Sequence, residues 1–237
     1  MSKYDENFWE DDDKPGLSYK QTEYLEYLVN VRYNQWRYKP EEIDKYNGEK
    51  GTGLGYHILK AQAKVKRKKQ LMPNGVIRDY FIKQDGVKCA RYMCMVISRF
   101  LMMTAHKEDN LPKFDDFYIE AMNEGFIGPC PKTKLMCYRM KAGLVKHFSK
   151  TSNYQIIKRS GRNDRWLVSL FNRKGANVAL FRKGNKKRST HTYLVARTED
   201  GILRMYDPYH GKYTGRPVSE RHPNSPDYLW YIRWYTK

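Results

Sequence analysis

Residues 87–103 read Val-Lys-Cys-Ala-Arg-Tyr-Met-Cys-Met-Val-Ile-Ser-Arg-Phe-Leu-Met-Met, an apolar run at helical spacing with almost no polar flank. A helix that is apolar around most of its circumference is stable only where other elements cover it. The segment is therefore expected as the central buried helix, packing through Tyr92, Met93, Val96, Ile97, Phe100 and Leu101. The rest of the chain must wrap it. With 237 residues, 40% of them hydrophobic and 14% aromatic, there is material for one core, or one core plus an N-terminal extension. So many rings argue against a wholly disordered chain.

The flanking elements follow from capping and periodicity. Ser18 is an N-cap, and Tyr24, Leu25, Leu28 and Val29 form one face of a helix to about residue 38. Pro40 suits a first helical position, so residues 39–42 are expected to restart a short helix. A helix with a cationic end is expected at 56–70, and further helices at 114–123 and 132–148, with 165–171 preferred helical. Strands are expected at 76–82, 154–157, 178–181, 193–197 and 203–206, the last two joined at a Glu199-Asp200-Gly201 turn. Residues 228–235 alternate like a closing strand. Helices first and antiparallel strands second make an α+β layout, with the buried cysteine helix packed on an antiparallel sheet. Gly51, Gly53 and Gly55 lack a preceding strand and a P-loop lysine, so they read as a plain loop. The chain divides into an acidic mobile arm, 1–16, a helical N-terminal extension, 17–73, and a domain, 74–237.

The formal net charge is +19. Basic residues cluster at Lys66, Arg67, Lys68 and Lys69, and again at Arg182, Lys183, Lys186 and Lys187. Such charge attracts a polyanion, either nucleic acid or an acidic protein. A merely solvated basic surface fits the same composition. No apolar run approaches the ~20 residues of a membrane helix, and the acidic start is unlike a secretory signal. A cytoplasmic or virion-associated product is expected, with leaderless export left open. The cysteines Cys89, Cys94, Cys130 and Cys137 lack the spacing of a zinc chelate, and without a signal they do not suggest a disulfide framework. No metal or cofactor is expected, and nothing in the sequence sets the oligomeric state.

Chemistry enters at Gln84-Asp85-Gly86, a turn that leads to Cys89 at an expected helix start, where unpaired N–H groups favour a thiolate. About a hundred residues later, His191 opens one expected strand and Asp207-Pro208 closes the next. In Gln84, Cys89-Ala90, His191-Thr192-Tyr193 and Asp207-Pro208-Tyr209 the chain resembles the papain-like cysteine peptidases, closest to the bacteriocin leader (double-glycine) peptidase branch. The resemblance covers about residues 75–210. Ala90 replaces the commoner glycine, and Lys88 stands where an acidic residue is frequent. The resemblance implies a papain-like fold and a thiol hydrolase acting on a peptide or isopeptide amide of a peptide or protein substrate. Cys89 is then the nucleophile, His191 the base, Asp207 its orienter and Gln84 the oxyanion donor. Acyl transfer or deamidation uses the same groups.

Plainer readings stand beside these. Cys89 could be a core residue, as Cys94 and Cys137 are expected to be, and His210 and His147 are rival bases. Cys130, in a Gly-Pro-Cys-Pro loop, has no helix start behind it. A basic binding protein on a catalytically weak scaffold is the alternative function, and a virion structural component a third.

Overall fold

A capping box starts the first helix, α1 (Tyr19–Tyr27): Gln21 N–H donates to Ser18 Oγ at 3.3 Å, and Ser18 N–H donates to Gln21 Oε1 at 2.9 Å. The computed structural model describes residues 16–68, 89–105, 111–129, 136–138, 143–148, 154–160, 178–184, 189–209, 211–218 and 228–234. After α1 one π-helical turn, Leu28–Arg32, ends the first helix sooner than expected. The expected helix at Pro40 is instead β1 (Lys39–Ile43), paired antiparallel with β2 (Lys50–Thr52). Proline is compatible with an edge strand, and Thr52 Oγ1 on β2 donates to Glu42 Oε2 on β1 at 3.0 Å. Gly53 leads into α2 (Leu54–Lys68) with φ +84°, and a Cβ there would meet the Arg37 carbonyl at 2.1 Å. Only glycine fits that approach.

The central segment is not one helix. Cys89 and Ala90 form a helical turn, the chain breaks at residues 91–93, and α3 runs Cys94–Ala105. In an unbroken helix the Ala90 carbonyl would accept from the Cys94 N–H. Here it accepts from the Gln35 side-chain amide at 2.8 Å and from Met93 N–H at 3.1 Å. A residue distant in sequence thus occupies the carbonyl and ends the ladder.

Next come α4 (Phe114–Asn123), the small antiparallel pair β3 (Gly128–Pro129) and β4 (Met136–Tyr138), and a short α5 (Gly143–Phe148). The expected helix at 132–148 is therefore part strand, part helix. The main sheet contains β5 (Tyr154–Ser160), β6 (Val178–Gly184), β7 (Ser189–Arg197), β8 (Leu203–Tyr206) and β9 (Tyr228–Trp234). Its order is β5-β9-β6-β7-β8, antiparallel throughout. The last strand does not close the sheet but enters its interior, pairing with Ile157 on one side and Phe181 on the other through Tyr231. Gly201, at φ +76°, makes the expected β7–β8 turn.

Helix α3 packs on this sheet, and Ser98 Oγ donates to the Thr192 carbonyl at 3.0 Å. Val96, Ile97, Leu101 and Met102 from α3 share one buried cluster with Val178, Leu194, Ala196 and Tyr206 from the strands. The same cluster holds Leu25, Leu28, Val29, Tyr33, Leu54 and Ile58. Tyr33 meets Phe114 at 4.9 Å between ring centroids, and Phe100 meets Phe114 at 5.3 Å. Residues 17–61 are thus a mixed helix and hairpin segment built into the core, not a purely helical extension beside it. The molecule is a mixed α+β protein with a helix on an antiparallel sheet. Among the described residues, no helix is long and apolar enough to cross a membrane.

Candidate active site

His191 lies near the start of β7, and Asp207 follows the last residue of β8. Leu194 pairs with Tyr206, so extending that register makes Asp207 a diagonal neighbour of His191 on one face of the sheet. His191 Nε2 meets Asp207 Oδ1 at 2.7 Å, with both side chains nearly buried. The same Oδ1 accepts the Tyr209 N–H at 2.9 Å, the short-range bond that an aspartate before a proline turn commonly makes. The Asp207 N–H in turn donates to Thr214 Oγ1 at 3.2 Å. Carboxylate and turn are therefore fixed together.

The thiol that reaches His191 belongs to Cys94. It is close enough to the imidazole to add to the rise in its proton affinity. Asp207 engages Nε2, and Nδ1 is the other ring nitrogen. Burial alone would lower the proton affinity of His191. The hydrogen bond and charge of Asp207, with a further contribution from Cys94, outweigh that burial and raise the imidazole to about 10. Cys94 is partly exposed and is the first residue of α3. Its N–H therefore sits among the unpaired donors of a helix N-terminus.

Cys89 does not fit the nucleophile's place. It has no exposure, and its sulfur lies 3.6 Å from the Tyr118 hydroxyl and 3.9 Å from Met93 Sδ. The helix break explains the exchange of roles. It puts the helix start at Cys94, five residues later than expected, and leaves Cys89 in the core. Cys94, expected as a core residue, is the cysteine beside the histidine.

The other expected residues divide by location. Gln84, Lys69, Lys186, Lys187, His210 and Cys130 lie outside the described residues. Lys66, Arg67 and Lys68 occupy the last turn of α2, and Arg182 and Lys183 lie on β6, where Lys183 pairs with His191 through the backbone. The rival base His147 is exposed on α5 and bonds Glu120 at 2.7 Å.

Three further residues were not expected. Gln35 is 1% exposed, and besides holding Ala90 it donates its backbone N–H to the Pro208 carbonyl at 3.1 Å. It ties the turn before Cys94 to the turn after Asp207. Next to it, Trp36 stacks edge-on against Tyr209 at 4.9 Å, and the Tyr209 ring lies 5.5 Å from that of His191. The Arg91 guanidinium covers the Trp36 ring at 4.9 Å. No motif in the sequence marks Gln35, Trp36 or Arg91, because their role depends on which loops meet.

No protein-family model, curated protein or solved structure matches the chain. Among the described residues, no group of three or more His, Cys, Asp or Glu side chains is placed to hold a metal ion.

Proposed function

We propose that the protein is a thiol hydrolase of a peptide or isopeptide amide, with a papain-like arrangement of cysteine helix and antiparallel sheet. Cys94 replaces Cys89 as its nucleophile. The observation that carries this reading is the nearly buried His191–Asp207 pair at 2.7 Å, with the helix-start thiol of Cys94 close enough to act on the imidazole.

The chemistry follows from those contacts. Asp207 holds Nε2–H, and His191, raised to about 10, keeps the Cys94 proton on Nδ1 before the sulfur bonds the amide carbonyl carbon. The carbonyl π pair moves to oxygen, where the Cys94 N–H and the positive end of α3 stabilise the oxyanion. As the C–N bond breaks, Nδ1–H protonates the departing amine. Water then attacks the thioester, giving its proton to Nδ1, and the acid product leaves as the thiol reforms. A second reading is a basic binding protein for nucleic acid or an acidic protein on the same scaffold; the charge of +19 favours it.

Alkylation with iodoacetamide between about pH 5 and 8, followed by peptide mapping, tests the hydrolase. Cys94 should label selectively at the acid end and lose that selectivity in His191→Ala, while Cys89 stays unlabelled in the folded protein. Slow, uniform labelling of all cysteines would contradict the reading.

A further inference from the structure

We infer that Arg91, set over the Trp36 ring in the turn before Cys94, is a subsite for an acidic side chain of the peptide substrate, which rests on the thiol-hydrolase reading above. Three observations meet there. First, Arg91 is exposed, and among the described residues no carboxylate pairs with it. Three other described arginines are committed to carboxylates: Arg32 to Asp44 and Glu49, Arg37 to Glu42, and Arg204 to Asp200.

Second, the guanidinium is held in place. Its Cζ lies over the Trp36 ring, 4.9 Å from the centroid, and Trp36 is itself 49% exposed, so the platform faces solvent. Stacking on a ring leaves the N–H edges of the guanidinium free. That planar fork matches a carboxylate in two parallel hydrogen bonds, and its ordering is already in place before the ligand arrives.

Third, the platform is continuous with the reacting groups. Ring contacts run from Trp36 to Tyr209 at 4.9 Å and from Tyr209 to His191 at 5.5 Å. Arg91 also lies in the turn just before Cys94. The path from imidazole to guanidinium is about 15 Å at most, which an extended peptide spans in roughly four or five residues at ~3.3 Å each. A carboxylate on Arg91 therefore belongs to a residue within a few positions of the bond under attack. The net charge of +19 acts in the same direction, drawing acidic segments toward the surface before contact.

The test uses matched peptidyl vinyl sulfones that differ only in carrying Glu or Gln two to four residues from the electrophile. The Cys94 sulfur bonds the β carbon of the vinyl group and the α carbon takes up a proton, so nothing leaves and the adduct is read by mass. The Glu probe should label Cys94 about fivefold faster than the Gln probe at low salt, the scale of a partly exposed charge pair, with the ratio falling as salt rises. Arg91→Gln should bring the ratio to about one. Arg91→Glu should favour the corresponding Lys probe, and Trp36→Ala should lower the ratio without altering any charge. Each ratio is taken within one protein, so a change in thiol reactivity cancels. Reactive Cys94 in the wild type with a Glu/Gln ratio near one would overturn the subsite alone. Failure of iodoacetamide and both probes to single out Cys94 would overturn the hydrolase and the subsite together.

Discussion

Replacing Asp207 with Asn in a Cys94→Ala background isolates the carboxylate's hold on His191. Sulfur is removed first because a thiol that hands its proton to the imidazole leaves the pair's proton count unchanged, which hides the histidine from a stability measurement. In the intact site desolvation opposes the charge on His191, and Asp207 together with Cys94 overcomes it, giving about 10 against an ordinary 6.5. At slightly more than ~1 kcal/mol per tenfold change, that span is worth about 5 kcal/mol at most, and with the sulfur gone the part held by Asp207 remains. A histidine raised in the fold keeps a proton that the unfolded chain has lost. Its stabilisation is complete below the unfolded value of 6.5 and is lost as pH rises toward the folded one. Urea unfolding of Cys94→Ala should therefore show stability falling, by less than about 5 kcal/mol in all, as pH rises above roughly 6.5. Adding Asp207→Asn should flatten that limb. Equal slopes in the two proteins would refute the idea that the carboxylate's charge holds the imidazolium.

Two further outcomes follow from buried groups. Cys89→Ser places a hydroxyl in a site with no exposure and should cost ~1–3 kcal/mol in urea unfolding, while Cys94 keeps its selective alkylation. Burial lowers His57 to about 4, so this residue is neutral in the fold and adds stability that is lost as pH falls from 6.5 toward 4. His57→Gln should make the acid limb of the stability curve shallower, as measured by unfolding at about pH 4 and pH 7.

The sequence was informative wherever the cause of a structure lies within a few residues. Ser18 caps α1 because its partner Gln21 is three positions away. Gly201 turns β7 into β8 because only local backbone freedom is needed, and the alternation of 193–197 and 203–206 sufficed to read two strands. The pairing of His191 with Asp207 was legible for a related reason: one hairpin separates them, so strand register alone brings them together. Where a cause is distant, the reading failed. Pro40 looked like a helix start because the hairpin partner that makes its segment a strand is β2, which the sequence presented as a glycine loop. The final strand looked like an edge because nothing in its own residues says that β5 and β6 leave a place between them.

The choice between two cysteines is the sharpest case. The apolar run by itself determined that a helix would be buried against the sheet and that a cysteine would stand near its start. Which cysteine that is was decided by Gln35, which reaches across 55 residues of chain to take the Ala90 carbonyl. The Ala90 carbonyl takes the Gln35 amide together with Met93 N–H rather than Cys94 N–H, and the ladder restarts at Cys94 while Cys89 stays among Met93 and Tyr118. Periodicity records which residues prefer to be buried. It holds no record of a hydrogen bond made from the far end of the chain, and here that one bond sets where the helix begins.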